Sequence, residues 1–329
     1  MGLLTVTGTL AIDQLWPAGS SDADTMHVKL AATDPFRFQP QPGGDPPAAT
    51  AAFEGAYVRV KGRSEPVIVQ HDRSLRIRLQ GIDAPELHYR PVSSVPELRQ
   101  PFAEAATATL SQHLRDSFGD RPALACEVVT QVTAPGDVFD MYARFIGDIV
   151  VTEADARLNL NQWLVAQGWA FPSFYNSMTP DEICALTVRT HQARYRKLNL
   201  WSRGAYTTQT GALDRTLLYR RPGAVVQKDR GPVISPKLFR RLYQWQLAVD
   251  KGSTAATSLR AYLLAPSPSK REKYLHTQDY IVQGDAALER DLGDAIRANG
   301  RLRYPPEDVV FTEAPSTLYA ADGKPVKAW

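Results

Sequence analysis

Three short clusters of charged residues have types and spacings that could do chemistry. In the first, Asp22-Ala23-Asp24-Thr25 runs into the strand-like Met26-His27-Val28-Lys29-Leu30. Two carboxylates entering a strand supply the oxygen donors that a hard cation takes. The same residues also read as a solvated turn. In the second, Arg78-Leu79-Gln80-Gly81-Ile82-Asp83-Ala84-Pro85-Glu86, the acids Asp83 and Glu86 sit where an apolar strand stops. Pro85 fixes the backbone between them, and Arg78 lies on the strand's polar face. The plain alternative is a surface arginine beside an acidic turn. The third cluster, Asp140-Met141-Tyr142-Ala143-Arg144-Phe145, puts Tyr142 and Arg144 on one face of an expected strand. That pairing suits a phosphate held beside a stacked ring, although Tyr-x-Arg alone carries little information.

The elements that must position these residues are mostly short strands. Residues 4–16 and 25–38 are rich in Val, Thr, Leu and Phe, and Gln39–Thr50 is Pro- and Gly-rich loop sequence. Strand patterns return at 57–61, 66–70 and 75–82, then at 123–132 and 141–151. In the third of these, Leu75, Ile77 and Leu79 alternate with Arg76, Arg78 and Gln80. Helices are expected from about Pro101, where Phe102, Ala106, Leu110 and Leu114 form a stripe, over 158–167, and over about 180–198. Thr179-Pro180-Asp181-Glu182 gives the last one an N-cap, a proline in the first turn and early acids. Short strands interleaved with three helices predict a small closed β-barrel with packed helices.

The ordered set resembles the staphylococcal nuclease-like (thermonuclease) family over about residues 4–32 and 75–204. It comprises the D-x-D-T entry to a strand, R-x-x-x-x-D-x-P-E at a strand end, an Ala-rich helix and a strand with Y-x-R. It continues with N-x-x-L-V-x-x-G-W-A and a helix ending A-R-Y-R-K-L-N-L-W-S. The resemblance implies an α+β fold, an OB-fold barrel with packed helices, and a calcium-dependent phosphodiesterase site cutting DNA and RNA to 3′-phosphate and 5′-hydroxyl ends. It assigns Asp24, Asp83 and the Ala84 carbonyl to a Ca2+ ion and Glu86 to activating or orienting water. Arg78 and Arg144 would hold the scissile phosphate, with Tyr142 and Tyr175 binding substrate. Ala23 replaces the family's usual Gly, Ala84 its usual Thr, and Met141 stands where a cation is often found. Between Asp24 and Arg78 lie 53 residues, so residues of about 39–72 are an insertion. Phe174 is as well suited to the core as to a base.

Composition sets the frame. The 329 residues are 43% hydrophobic and 22% charged, which excludes disorder throughout. The N-terminus lacks a basic n-region, and the longest uncharged stretch is too polar to span a bilayer, so a soluble cytoplasmic protein is expected. Cys126, in phase with Leu124 and Val128, reads as a buried strand residue. The six histidines are scattered, which argues against a histidine-based nuclease.

The net charge of +3 divides unevenly. Residues 1–206 carry 19 basic and 22 acidic side chains, and 207–329 carry 19 and 13. The expected organisation is a nuclease-like domain over 1–206 and a mainly helical, basic accessory module over 207–329 for substrate or protein-partner binding. Within 214–241, eight Arg or Lys are interleaved with Tyr219, Phe239, Tyr243 and nearby Trp245. This pattern reads equally as a nucleic-acid platform and as a solvated helix face. The competing overall reading is a non-catalytic OB-fold module that binds nucleic acid or protein.

Overall fold

A computed structural model describes residues 1–41, 49–153, 156–211, 213–227, 231–253, 257–313 and 316–329. The chain forms two compact units whose segments interleave. The first comprises Met1–Gln80, Ala108–Trp163 and Ala314–Trp329; the second comprises Gly81–Thr107 and Leu164–Glu313. Residues 207–313 thus pack in one unit with 81–107 and 164–206.

The first unit is built on five strands: β1 (Gly2–Ala11), β2 (Thr25–Leu30), β3 (Ser74–Leu79), β4 (Ala123–Val132) and β5 (Phe145–Glu153). Their pairing runs β1–β2–β3–β5–β4 and returns to β1, so the expected barrel closes. Within this ring of five strands, the β3–β5 pairing is parallel and the others are antiparallel. Closure follows from alternation: Leu4, Val6, Leu10, Met26, Val28 and Ile77 are all fully buried, with polar neighbours turned outward. The expected 25–38 strand is two strands, because Asp34 takes a positive φ of 39° and Pro35 follows it. The second piece, Phe36–Pro40, pairs with β1 from Gly2 to Val6.

Part of the expected 39–50 loop, residues 42–48, lies outside the described residues, and Ala49–Phe53 is a short helix. Beyond it, the insertion strands Tyr57–Val60 and Arg63–Pro66 join Leu318–Tyr319 in a three-stranded sheet. The terminal Trp329 stacks on Phe38 with centroids 4.1 Å apart. Cys126 is buried in β4 as expected, and burial pushes its thiol pKa up to about 12.

In the second unit, Phe174–Tyr175 pairs in parallel with Val309–Phe311. Lys273–His276 and Arg290–Asp291 complete that sheet. The C-terminal segment therefore contributes strands besides its expected helices. Helix α1 (Ala103–Phe118), whose residues from Ala108 on belong to the first unit, carries the anticipated stripe, with Ala106, Leu110 and Leu114 fully buried. Helix α2 (Pro180–Tyr195) has its capping box: the Thr179 hydroxyl accepts from the Glu182 amide, and the Glu182 carboxylate accepts from the Thr179 amide at 2.7 Å. Helix α3 (Pro236–Asp250) buries Leu238, Phe239, Leu242 and Tyr243 in a core with Leu98, Ile234 and Leu259. Among the described residues, no helix is long and apolar enough to cross a membrane.

Candidate active site

In the first unit, the β2–β3 ladder sets Thr25 opposite Arg78, and the Leu79 amide donates to the Asp24 carbonyl at 2.9 Å. The parallel β3–β5 pairing sets Ile146 beside Arg78. The Thr25 hydroxyl donates to Asp24 Oδ1 at 3.2 Å and accepts from Arg144 Nη1 at 3.1 Å. Segments bearing Asp24, Arg78 and Arg144, far apart in sequence, therefore converge on adjacent strand ends. Asp24 is buried in this arrangement. Asn161, from the N-x-x-L-V motif, fastens it from behind: its Nδ2 donates to the Gln80 carbonyl at 2.9 Å and to Asp148 Oδ1 at 2.7 Å. That fully buried amide fixes the end of β3 relative to β5.

Tyr142 and Arg144 lie in a turn instead of on the expected strand, and β5 starts only at Phe145. The cause is Asp140, whose Oδ1 accepts from the backbone amides of Tyr142 and Arg144, both at 2.9 Å. Those bonds divert the backbone from a ladder, and Ala143 adopts a φ of 60°. The ring and the guanidinium still meet, with Arg144 5.6 Å from the exposed Tyr142 ring centroid. Asp140 Oδ2 also accepts from Arg144 Nε at 2.8 Å and Nη2 at 2.7 Å. Asp140 is thus a positioning residue that sequence reasoning missed. Its visible trace was only an acid four residues before an arginine.

The second unit carries Asp83, Ala84 and Glu86. Gly81 makes the turn into them with a φ of 73°, where a Cβ would lie 2.6 Å from Leu186 Cδ1 and Met178 Cε. Asp83 is then held by a two-residue strand pairing with Phe171 and Pro172. Asp83 and Ala84 are buried, and Glu86 is half-buried. The buried Gln100 side chain staples this loop. Its Oε1 accepts from the Glu86 amide at 3.0 Å, and its Nε2 donates to the Ile234 carbonyl at 2.8 Å.

Helix α3 starts just beyond that staple and projects Arg240 onto both acids. Arg240 Nη1 and Nη2 donate to the two Asp83 oxygens at 3.3 and 3.0 Å, and Nη1 also donates to Glu86 Oε1. Burial disfavours the guanidinium's charge, but the pull of Asp83, Glu86 and Tyr175 prevails and raises its pKa well above the ordinary value. Nothing in sequence marked this arginine apart from its place in a basic run. Tyr175 is half-buried beside it, with the Lys237 ammonium 5.2 Å from its ring centroid. Phe174 is fully buried core.

Two of the four aromatics interleaved with the basic run are turned away from solvent, while Tyr219 and Trp245 are half-buried. Phe239 and Tyr243 are interior residues of the α3 core. Four of the run's arginines are paired: Arg215 with Asp250, Arg220 with Glu104, Arg240 with Asp83 and Glu86, and Arg241 with Glu272.

The donors assigned to calcium, two carboxylates and a carbonyl, are all oxygen and suit a hard ion in chemical type. Among the described residues, no group of three or more His, Cys, Asp or Glu side chains could hold a metal, so backbone and water would have to complete any shell. No curated protein matches the chain. The strand-end segment bearing Arg78, Asp83, Ala84 and Glu86, together with the turn of Tyr142 and Arg144 and with Tyr175, falls inside residues 76–203; those residues match the family model described as staphylococcal nuclease homologue, which suggests a nuclease-type function with a nucleic-acid substrate.

Proposed function

We propose that this protein is a calcium-dependent phosphodiesterase that hydrolyses DNA, RNA or both and leaves 3′-phosphate and 5′-hydroxyl ends. The observation that carries the reading is the convergence of Asp24, Arg78 and Arg144 through Thr25, within a closed barrel whose third strand leads to Asp83 and Glu86. A phosphodiester repels hydroxide because both are negative, so the site must neutralise charge before water attacks. Arg78 and Arg144 present planar forks that remain charged at any working pH. Glu86 takes a proton from the attacking water, a role worth about 10²–10⁴-fold in rate. Asp24, Asp83 and the Ala84 carbonyl would hold calcium, which when bound supplies Lewis acidity and fixes the phosphate. Tyr142, exposed beside Arg144, would stack a base, and Tyr175 would make a further substrate contact.

The second reading, a non-catalytic OB-fold binding module, is favoured by one observation: Asp83 and Glu86 are both engaged by Arg240. Incubation of the protein with single-stranded DNA and with RNA, with calcium or with a chelator, separates the two. Calcium-dependent cleavage supports the enzyme, and binding without cleavage in any condition supports the module.

A further inference from the structure

We infer that Arg240 is an internal latch that occupies Asp83 and Glu86 and must withdraw before either acid can serve a metal ion or water. The inference rests on the phosphodiesterase reading above and adds a restraint on it. One guanidinium bridges both acids, binding Asp83 through two nitrogens and Glu86 through one of them. The Asp83 side chain is 3% exposed and that of Arg240 22%, so water screens the contact weakly.

Three consequences follow from the chemistry. A divalent ion drawn to Asp83 meets a fixed positive charge on the same carboxylate, so the two cations compete. The Glu86 oxygen that accepts from Arg240 already has a donor on it, so an attacking water must displace the guanidinium to reach that oxygen. A phosphodiester approaching the acids would find a guanidinium already saturated by carboxylates, so Arg240 is ill-suited as a third phosphate-binding group while it is latched.

The latch is built into the fold. Arg240 lies on α3, which Leu238, Phe239, Leu242 and Tyr243 anchor in the core. Gln100 ties the Glu86 amide to the Ile234 carbonyl, two residues before α3 begins at Pro236. Arg241, next along the helix, is held separately by Glu272 with Nε–Oε2 at 2.7 Å. Helix α3 also lies outside residues 76–203, the segment that matches the nuclease family. The restraint therefore comes from sequence outside the matched segment.

The test is calcium binding by calorimetry on the full-length wild type, Arg240→Gln and Arg240→Lys, with no nucleic acid present, followed by cleavage at limiting calcium. Arg240→Gln is expected to tighten calcium binding on the order of tenfold or more and to raise cleavage. Arg240→Lys, a single ammonium that cannot fork across both acids, should fall between the two. Thermal melts identify any variant that fails to fold, and the lysine variant, which keeps the charge, then carries the comparison. Unchanged calcium affinity in the folded variants, or cleavage lost when Arg240 is replaced, overturns the latch. If Arg240→Gln binds calcium more tightly yet no form of the protein cuts nucleic acid, the latch stands and the phosphodiesterase reading falls.

Discussion

The Arg144 guanidinium reaches the Thr25 hydroxyl at 3.1 Å across 119 positions of sequence, and that hydroxyl in turn donates to Asp24. A residue with no chemistry of its own thereby couples a candidate metal ligand to a candidate phosphate-binding arginine. The arrangement depends on the turn that launches Arg144 and on the ladder that places Thr25.

Asp140 controls that turn. Asp140→Ala removes the carboxylate oxygen that accepts from two backbone amides, and with it the ion pair to Arg144. Cleavage should fall by about 10²-fold, because a phosphate-binding group displaced by an ångström loses its alignment. Asp140→Asn, which keeps one acceptor oxygen, should retain more activity. Steady-state kinetics on both variants check this, and equal activity in Asp140→Ala and wild type would refute it.

Gly81 is expected to tolerate no side chain. In Gly81→Ala the new methyl would press on Leu186 and Met178 at a positive φ. The expected loss is roughly 1–3 kcal/mol, together with reduced activity through displacement of Asp83. Urea denaturation with a cleavage assay measures both. A variant as stable and active as wild type would show that the turn adapts.

Glu104 is a structural anion. It is fully buried, pairs with the buried Arg99 at 3.3 Å and with Arg220, and accepts from the Gln227 amide at 2.8 Å. Glu104→Ala strands a buried guanidinium and should cost about 3–5 kcal/mol. Chemical denaturation of this variant checks the value, and a loss below about 1 kcal/mol would contradict the burial argument.

The two cysteines should differ in reactivity. Cys126 is buried with its thiol pKa raised from 9.0 to about 12, whereas Cys184 is exposed. One thiol per native chain should react with a disulfide reagent at neutral pH, and two after denaturation. The raised pKa has a linkage consequence. The folded thiol keeps its proton where the unfolded one loses it, so this contribution to stability is complete below about pH 9 and is lost between pH 9 and 12. Titrating thiols in native and denatured protein tests the assignment, and rapid native reaction of both would contradict it.

Much of the barrel was legible because alternation is a local property: Leu75, Ile77 and Leu79 in β3 declare their inward face in six residues. The capping box at Thr179 was equally local. What escaped the sequence depended on distant or conformational partners. The turn at Asp140–Arg144 reads as strand until the Asp140 carboxylate is seen to hold its amides. Phe239 and Tyr243 look like a stacking platform because periodicity cannot say which face of α3 meets a core. Arg240 was one of eight basic residues in its run, and its partner Asp83 lies 157 positions earlier. The change of character near 207 is real in composition. The units cut across it because Gln100, Arg99 and Leu98 in the early segment bond or pack with Ile234, Gln227 and Leu238 in the late one.

The central claim is that Glu86 and calcium together hydrolyse a phosphodiester here. The most direct measurement is cleavage of single-stranded DNA and RNA by wild type and Glu86→Gln, with calcium or with a chelator, and with the product ends identified. The account predicts calcium-dependent cleavage by wild type to 3′-phosphate and 5′-hydroxyl ends, lowered about 10²–10⁴-fold in Glu86→Gln and abolished by chelation. Cleavage that is indifferent to both the substitution and the chelator would contradict it.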